Sequence, residues 1–352
     1  MERASVQDPG LARRSVVAYW GLGLLGAAAA PLAAAAPALV PSATGPAGSP
    51  PDFNFAEWLD RLHRASCQRS YVGTLVVSSN NGAMSSARIW HACAGQQQFD
   101  RVESLTGAPR STFRRNDEVV TFLPELRVAR TERREALGLF PDLLKSTDTS
   151  IPEFYAVRRV GVDRVAGFET DVVQLAPRDG LRFGYRIWTE RKSGLVVKLQ
   201  TLDLDGTVLE QAAFSELQLD APVRAAKLSQ MMAATDGWRV ERTDAVKTSA
   251  ATEGWQLKSP VAGFKPVNCY KRPGAAAALP EGSMQWIFSD GLAAVSLFVE
   301  SFDGQRHREE GLFASGATHT LTRKIQEWWL TAVGEVPPQT LKAFAQSLER
   351  HK

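Results

Sequence analysis

From residue 70 to about residue 219 the chain is written as strand-length apolar runs divided by short turns. SYVGTLVVSSNNGAMSSARIWHAC (70–93) holds two runs around Asn81-Gly82, a pair able to take positive φ. EVVTFL (118–123), RVAGFETDVVQLAP (164–177), LRFGYRIWTE (181–190), GLVVKLQTLD (194–203) and TVLEQAAFSELQL (207–219) follow. Arg178-Asp179-Gly180, Lys192-Ser193-Gly194 and Asp205-Gly206 separate them. Turns this short leave no room for crossover helices, so they predict an antiparallel meander rather than βαβ units.

A half-buried strand should show one clean polar face. In the first run one face carries Tyr71, Gly73, Leu75 and Val77, and the other Val72, Thr74, Val76 and Ser78. In 181–188, Leu181, Phe183, Tyr185 and Ile187 oppose Arg182, Gly184, Arg186 and Trp188. Such patterns fit a large curved sheet with an apolar concave face able to enclose a hydrophobic ligand. The lining candidates are Leu75, Val77, Phe113, Phe122, Phe183 and Tyr185. Residues 132–153 break the strand rhythm. There Leu137 and Phe140, with Leu139, Leu143 and Leu144, suit either a helical lid over that face or a helix that plugs the core. An acyl chain of a dozen carbons would gain on the order of 10 kcal/mol from burial before binding costs. Arg110, Arg114, Arg115, Arg127, Arg130, Arg133 and Arg134 either meet lipid phosphates or form a solvated surface with the neighbouring acids.

The 352 residues suggest two domains. Arg13 and Arg14, the apolar VVAYWGLGLLGAAAA and the Ala-rich tail read as a secretory signal over 1–36, with an uncleaved anchor as the alternative. GLGLLG (21–26) fits a dinucleotide motif but sits inside this segment, so it carries no nucleotide site. Residues 37–52 are a Pro/Ala/Gly-rich leader. Phe55, Trp58, Leu59 and Leu62, after Asn54 with Glu57 three residues on, predict an amphipathic helix over about 55–66. The first domain is expected over 53–219, a linker over 220–236, and a smaller α+β domain over 237–352. That second domain ends in a helix marked by Leu341, Phe344, Ala345 and Leu348. No later segment has the ~20 apolar residues of a membrane span. A net charge of +3 argues against nucleic acid as the main partner.

Three cysteines occur, with no C-x-x-C and no zinc spacing. A turn at Asn81-Gly82 puts Cys93 opposite residue 69 or 70, so a Cys67–Cys93 disulfide is geometrically feasible. It would close about 25 residues and add roughly 3 kcal/mol. The alternative is two unpaired thiols. None of the five histidines stands in a metal-binding pair, and His91 near Cys93 is the one conceivable nucleophile–base arrangement. No G-x-S-x-G and no phosphate-binding loop occurs. No catalytic residue, metal or cofactor is expected, and a binding role fits better than an enzyme.

YVGTLVV, NDEVVTFLPE, DRVAGFETDVVQLAPRDGLRFGYRIW and GLVVKLQTLDLDGTVLEQAAFSEL resemble the N-terminal domain of the MucB/RseB family. FSDGLAAVSLFVE and AVGEVPPQTLKAFAQS resemble its C-terminal domain, and the likeness runs from about 53 to 350. The resemblance implies a mainly β, α+β chain. Its first domain would be an incomplete antiparallel β-barrel with a helical lid, like the lipid carriers LolA, LolB and LppX. It implies a periplasmic regulator that binds the periplasmic part of a RseA- or MucA-like anti-sigma factor and shields it from proteolysis. The implied signal is lipopolysaccharide or lipoprotein acyl chains, with no stable membrane insertion after signal cleavage. Phe288, Asp290, Trp328 and Trp329 are the candidates for partner contact. Trp328-Trp329 and the Ala-rich loop at 275–278 lie outside the expected pattern. The competing reading is a soluble lipid or lipoprotein carrier, which needs the first domain alone.

Overall fold

The structure is a computed structural model that describes residues 53–95, 97–133, 150–243, 245–272 and 282–351, with Cys67 and Thr243 as backbone only. Helix α1 (Phe55–Gln68) opens it, and the Asn54 side chain caps it by accepting the Glu57 N–H at 3.2 Å. Strands β1 (Tyr71–Ser79), β2 (Met84–Ala94), β3 (Gln97–Ser104), β4 (Ser111–Arg115), β5 (Glu118–Leu123) and β6 (Val128–Arg133) form one meander. After the short helix α2 (Ile151–Phe154), a second meander follows. It comprises β7 (Tyr155–Val165), β8 (Phe168–Pro177), β9 (Gly184–Glu190), β10 (Val196–Leu202) and β11 (Val208–Leu219). β1 pairs with β11 and fuses the two meanders. Helix α3 (Ala225–Ala233) leads to β12 (Arg239–Thr243), which adds in parallel to β6. The sheet runs β12-β6-β5-β4-β3-β2-β1-β11-β10-β9-β8-β7, and its end strands do not pair, so it is an unclosed barrel.

The second unit is a sheet of β13 (Val246–Thr248), β15 (Lys265–Arg272), β16 (Ser283–Ser289), β17 (Ala294–Ser301), β20 (Trp328–Gly334), β19 (Thr318–Ile325) and β18 (Gly311–Ser315), in that spatial order. β14 (Trp255–Leu257) pairs with β21 (Leu348–Arg350). Helix α4 (Pro338–Ser347) covers the sheet, its first turn carrying the proline that needs no N–H partner there. Leu341 and Phe344 of α4 bury against Phe288, Val295, Leu297 and Leu330.

Strand parity sorts the first sheet. Tyr71, Gly73, Leu75 and Val77 are buried, while Val72, Thr74, Val76 and Ser78 are half-buried. Leu59, Leu62 and Ala65 of α1 join Leu75, Val77, Ile89, Leu175, Tyr185 and Ile187 in one core. Each buried leucine there contributes roughly 1.5–3 kcal/mol. Gly73 has a steric reason: a Cβ would lie 2.7 Å from the Phe214 ring. On the opposite face, α3 covers the far half of the sheet. Leu228 packs on Ala92 and Phe99, and Met232 packs on Phe113, Val120, Phe122 and Ala129. The second face of β1 therefore stays half-open.

Two expectations change. Residues 220–236, read as a linker, contain α3, which is packed on the first sheet. Residues 239–243, placed by the sequence in the second domain, are the edge strand of the first sheet. The lid expected around Leu137 and Phe140 lies outside the described residues.

Candidate functional site

The two sheets meet where the β8–β9 loop enters the second domain. Within this loop the Asp179 carboxylate accepts the Leu181 N–H at 2.9 Å and Arg182 Nε at 3.1 Å, which aims Arg182 across the junction. Arg182 is fully buried. Its Nη1 lies 3.1 Å from Asp290 Oδ2, and its Nη2 donates to the Ala262 carbonyl at 2.7 Å. Its guanidinium stacks over Phe154 from one domain, at 4.5 Å, and Phe264 from the other, at 5.2 Å. Tyr155 Oη donates to the same Asp290 Oδ2 at 3.0 Å. Asp290 Oδ1 accepts the N–H groups of Leu292 and Ala293, at 2.9 and 2.7 Å. This explains SDGLA: the turn holds the aspartate by its own backbone while the second oxygen reaches the other domain. Burial pushes the Asp290 carboxyl up, and the backbone donors and Arg182 pull it back in part. Burial, then the nearby Asp290 charge, keeps Tyr155 protonated. Gly263, at φ +81, leaves room for the guanidinium, since a Cβ would sit 2.7 Å from Arg182 Nη2.

α4 completes this junction. Thr340 Oγ1 donates to the Leu181 carbonyl at 2.6 Å, and the Gln339 amide donates to the Gly180 carbonyl. A second contact joins Phe183, Leu209 and Ala317, with the His319 ring 5.8 Å from Phe183. Beside it Glu210 faces Ser79, 3.3 Å away, and the Gly316 turn, and burial pushes its carboxyl up to about 7.

The sequence candidates for lipid contact fall into separate places. Leu75, Val77 and Tyr185 lie together beneath α1. Phe113 and Phe122 point to the opposite face and pack on α3 and Trp238. Phe183 lies in the domain junction. They do not line one cavity, because adjacent positions on paired strands alternate faces and the sequence does not reveal which hairpin registers align. Of the partner candidates, Phe288 is interior, between Trp286 and Phe344, and Asp290 is the buried receptor of Arg182. Trp329 is buried and stacked on His307 at 4.8 Å, with His307 Nε2 2.6 Å from Glu300 Oε1. Trp328 stands edge-on to Trp255 and beneath Arg350. The visible work of all four is inside the chain. Arg182 was missed because it occupied one face of an apparent strand, whereas it lies in the loop before β9.

Cys93 carries a free thiol, so the expected Cys67–Cys93 bridge is not formed. Its Sγ is 3.2 Å from His91 Nε2, and His91 Nδ1 is 2.6 Å from Asp100 Oδ1. Asp100 Oδ2 in turn receives Arg114 Nε at 2.6 Å. Burial lowers the His91 pKa, but the Asp100 charge and hydrogen bond outweigh it and carry it to about 9. Burial raises the Asp100 carboxyl, yet Arg114 and His91 hold it below its ordinary range. At neutral pH His91 is thus already an imidazolium, sandwiched against Tyr71 at 4.8 Å. It has no free lone pair to take a thiol proton, and the arrangement is a charged brace across β2, β3 and β4 rather than a nucleophile–base pair.

Comparison with known proteins bears on both domains. The model of the MucB/RseB N-terminal domain matches residues 54–232, and that of the MucB/RseB C-terminal domain residues 249–349. The sigma factor AlgU regulatory protein MucB of Pseudomonas aeruginosa is 28% identical over 300 residues, covering 83% of this chain and 90% of MucB. The sigma-E factor regulatory protein RseB of Escherichia coli K12 is 24% identical over 292 residues, covering 83% and 89%. A crystal structure of MucB in complex with periplasmic MucA superposes with a TM-score of 0.64 at 25% identity, covering 85% of this chain and 100% of that one. With both domains matched, in this order, the chain belongs to the MucB/RseB family.

Proposed function

We propose that this chain is a periplasmic regulator that binds the periplasmic segment of a RseA/MucA-like anti-sigma factor. By shielding that segment from regulated proteolysis it restrains sigma-E-type envelope-stress signalling. The observation that carries this reading is the match of both domains to MucB held in complex with periplasmic MucA. A carrier needs only the first sheet, whereas here a buried ion pair fastens the second domain to it. The signal-like segment at 1–36 supports export.

Lipid or lipopolysaccharide is the proposed signal. Leu75, Val77 and Tyr185 are sealed by Leu59, Leu62 and Ala65, so in this reading lipid enters as α1 yields. Occupancy there and at the anti-sigma contact would weaken each other by one coupling free energy. The test is calorimetric titration of the exported chain with the periplasmic segment of its own organism's anti-sigma factor, with and without lipopolysaccharide. Saturable binding that lipopolysaccharide weakens is expected. Absent segment binding with lipid still bound would favour the carrier. Lipid binding that leaves segment affinity unchanged would sink the sensing mechanism.

A further inference from the structure

Two acids are buried where the domains meet, and their surroundings differ. Asp290 is met by the Arg182 guanidinium, the Tyr155 hydroxyl and two backbone N–H groups. Glu210 on β11 is only 7% exposed, yet among the described residues its polar contact is the Ser79 hydroxyl at 3.3 Å, with no cation beside it. A carboxylate removed from water needs a cation or several N–H donors, so this group holds its proton while the contact is closed.

Strand register builds the contact. Glu210 pairs with Ser79 on β1 and with Thr201 on β10, and Thr201 pairs with Tyr185 on β9. The Gly316 turn of the second domain closes over the Ser79 end of this row. A Cβ at Gly316 would stand 2.7 Å from Glu210 Oε2 and 2.8 Å from Ser79 Oγ. Ala317, next in the turn, is fully buried with Phe183 and Leu209. The other titratable groups of this region are His319 on β19, Asp203 after β10 and Glu335 after β20. Burial lowers the His319 pKa, against its backbone contacts and Asp203, so the imidazole is neutral. Glu335 has contacts of its own and acts on Tyr185. None of them gives Glu210 a positive charge to pair with.

We propose that Glu210 is a proton-operated latch between the domains: protonated, it seats the Gly316 turn on Ser79; ionised, it releases that turn while the Arg182–Asp290 contact stays closed as a hinge. The difference between the two acids carries this. When protons leave, Asp290 keeps a guanidinium and its N–H donors, whereas Glu210 gains a buried charge beside one hydroxyl. Burial raises the Glu210 carboxyl from 4.5 to about 7, so the latch is at full strength below pH 4.5 and is lost as pH rises through 7. It acts within the chain and needs no anti-sigma segment, so it stands or falls apart from the proposed binding role.

The test is hydrogen–deuterium exchange of the exported chain, after signal removal, read by mass spectrometry. Wild type and Glu210→Gln are compared at one pH, so that chemical exchange rates cancel. At about pH 8 the amides of 311–320 should exchange at least about tenfold faster in wild type, and at about pH 4.5 the two should agree within about twofold. Residues 338–347, which hold Gly180 and Leu181 at the hinge, should exchange alike in both chains at either pH. Ser79→Ala removes the hydroxyl that favours the charged form, so its 311–320 segment should exchange faster than wild type at about pH 8. Equal exchange of 311–320 in wild type and Glu210→Gln at that pH overturns the latch. So does a difference that spreads equally over 338–347 and 55–68, since it would report lost stability throughout rather than opening at the turn. Ser79→Ala exchanging no faster than wild type counts against the latch without relying on Glu210→Gln.

Discussion

Arg182 of the first domain and Asp290 of the second form an ion pair, Nη1 to Oδ2 at 3.1 Å, with both side chains wholly removed from solvent. Such a pair is costly to assemble but costlier to halve, since removing one member leaves the other charge buried and unpaired. Its worth here is orientation: Ala262, Tyr155, Phe154 and Phe264 satisfy or sandwich the same two groups in a single arrangement of the domains.

Arg182→Ala or Asp290→Ala should therefore cost about 3–5 kcal/mol. Urea unfolding should show the two domains melting apart rather than together. Arg182→Met with Asp290→Leu should recover most of that loss. A single variant within about 1 kcal/mol of wild type would show that the pair does not fasten the domains.

Gly263→Ala tests the same junction from the backbone side. Its φ of +81 disfavours any side chain, and the added methyl meets Arg182 Nη2 at 2.7 Å. A loss of about 1–3 kcal/mol is expected, with faster proteolysis between the domains. Gly237→Ala, at φ +78 but with open space around its Cβ, isolates the purely conformational part.

Stability should depend on pH through His91. Its pKa in the fold is about 9, against an ordinary 6.5. The brace to Asp100 then contributes fully below pH 6.5 and is lost as pH climbs through 9, on the order of 3 kcal/mol in all. Asp100, held below its ordinary range, works the other way, and its contribution disappears as pH falls below 3.8. Denaturant midpoints from pH 6 to about pH 9.5 should fall for wild type and flatten for His91→Gln. A flat wild-type profile would rule out the brace.

Glu210→Gln addresses the second interdomain contact. A carboxyl raised from 4.5 to about 7 favours the fold below 4.5 and loses that contribution as pH rises through 7. The amide should thus stabilise the chain at pH 8 and change little at pH 4. Equal effects at both pH values would mean that Glu210 ionises freely in the junction.

Leu62→Ala should cost about 2–5 kcal/mol, because Leu62 is buried in the core shared by α1 and the sheet. If α1 is the path for lipid, the same change should also speed lipid uptake, read by quenching of Trp58 on α1. Slower or unchanged uptake would place the entry elsewhere.

Local pattern alone settled much of the fold. Period-two alternation placed β5 at 118–123 and most of β8, β10 and β11, and helical spacing with an Asn54 cap placed α1. These signals are local, because a strand face or a helix stripe repeats within a few residues. β3, β4, β6 and most of β7 were not legible. QQFDRVES, STFRR and VARTER alternate charges with few apolar residues, and only their sheet neighbours make them strands. The family was legible because SDGLA and VGEVP are short segments with fixed order. The roles of their residues were not. Asp290 reads as a candidate for partner contact until the chain brings Arg182, more than a hundred positions earlier, against it. Phe113 and Leu75 read as one apolar lining until strand register puts them on opposite faces. Sequence by itself thus determined the first and last helices, the strongly apolar strands and the family to which the chain belongs. Register, the β1–β11 closure and the domain junction were decided only by tertiary structure, since each depends on contacts between distant positions that no local periodicity encodes.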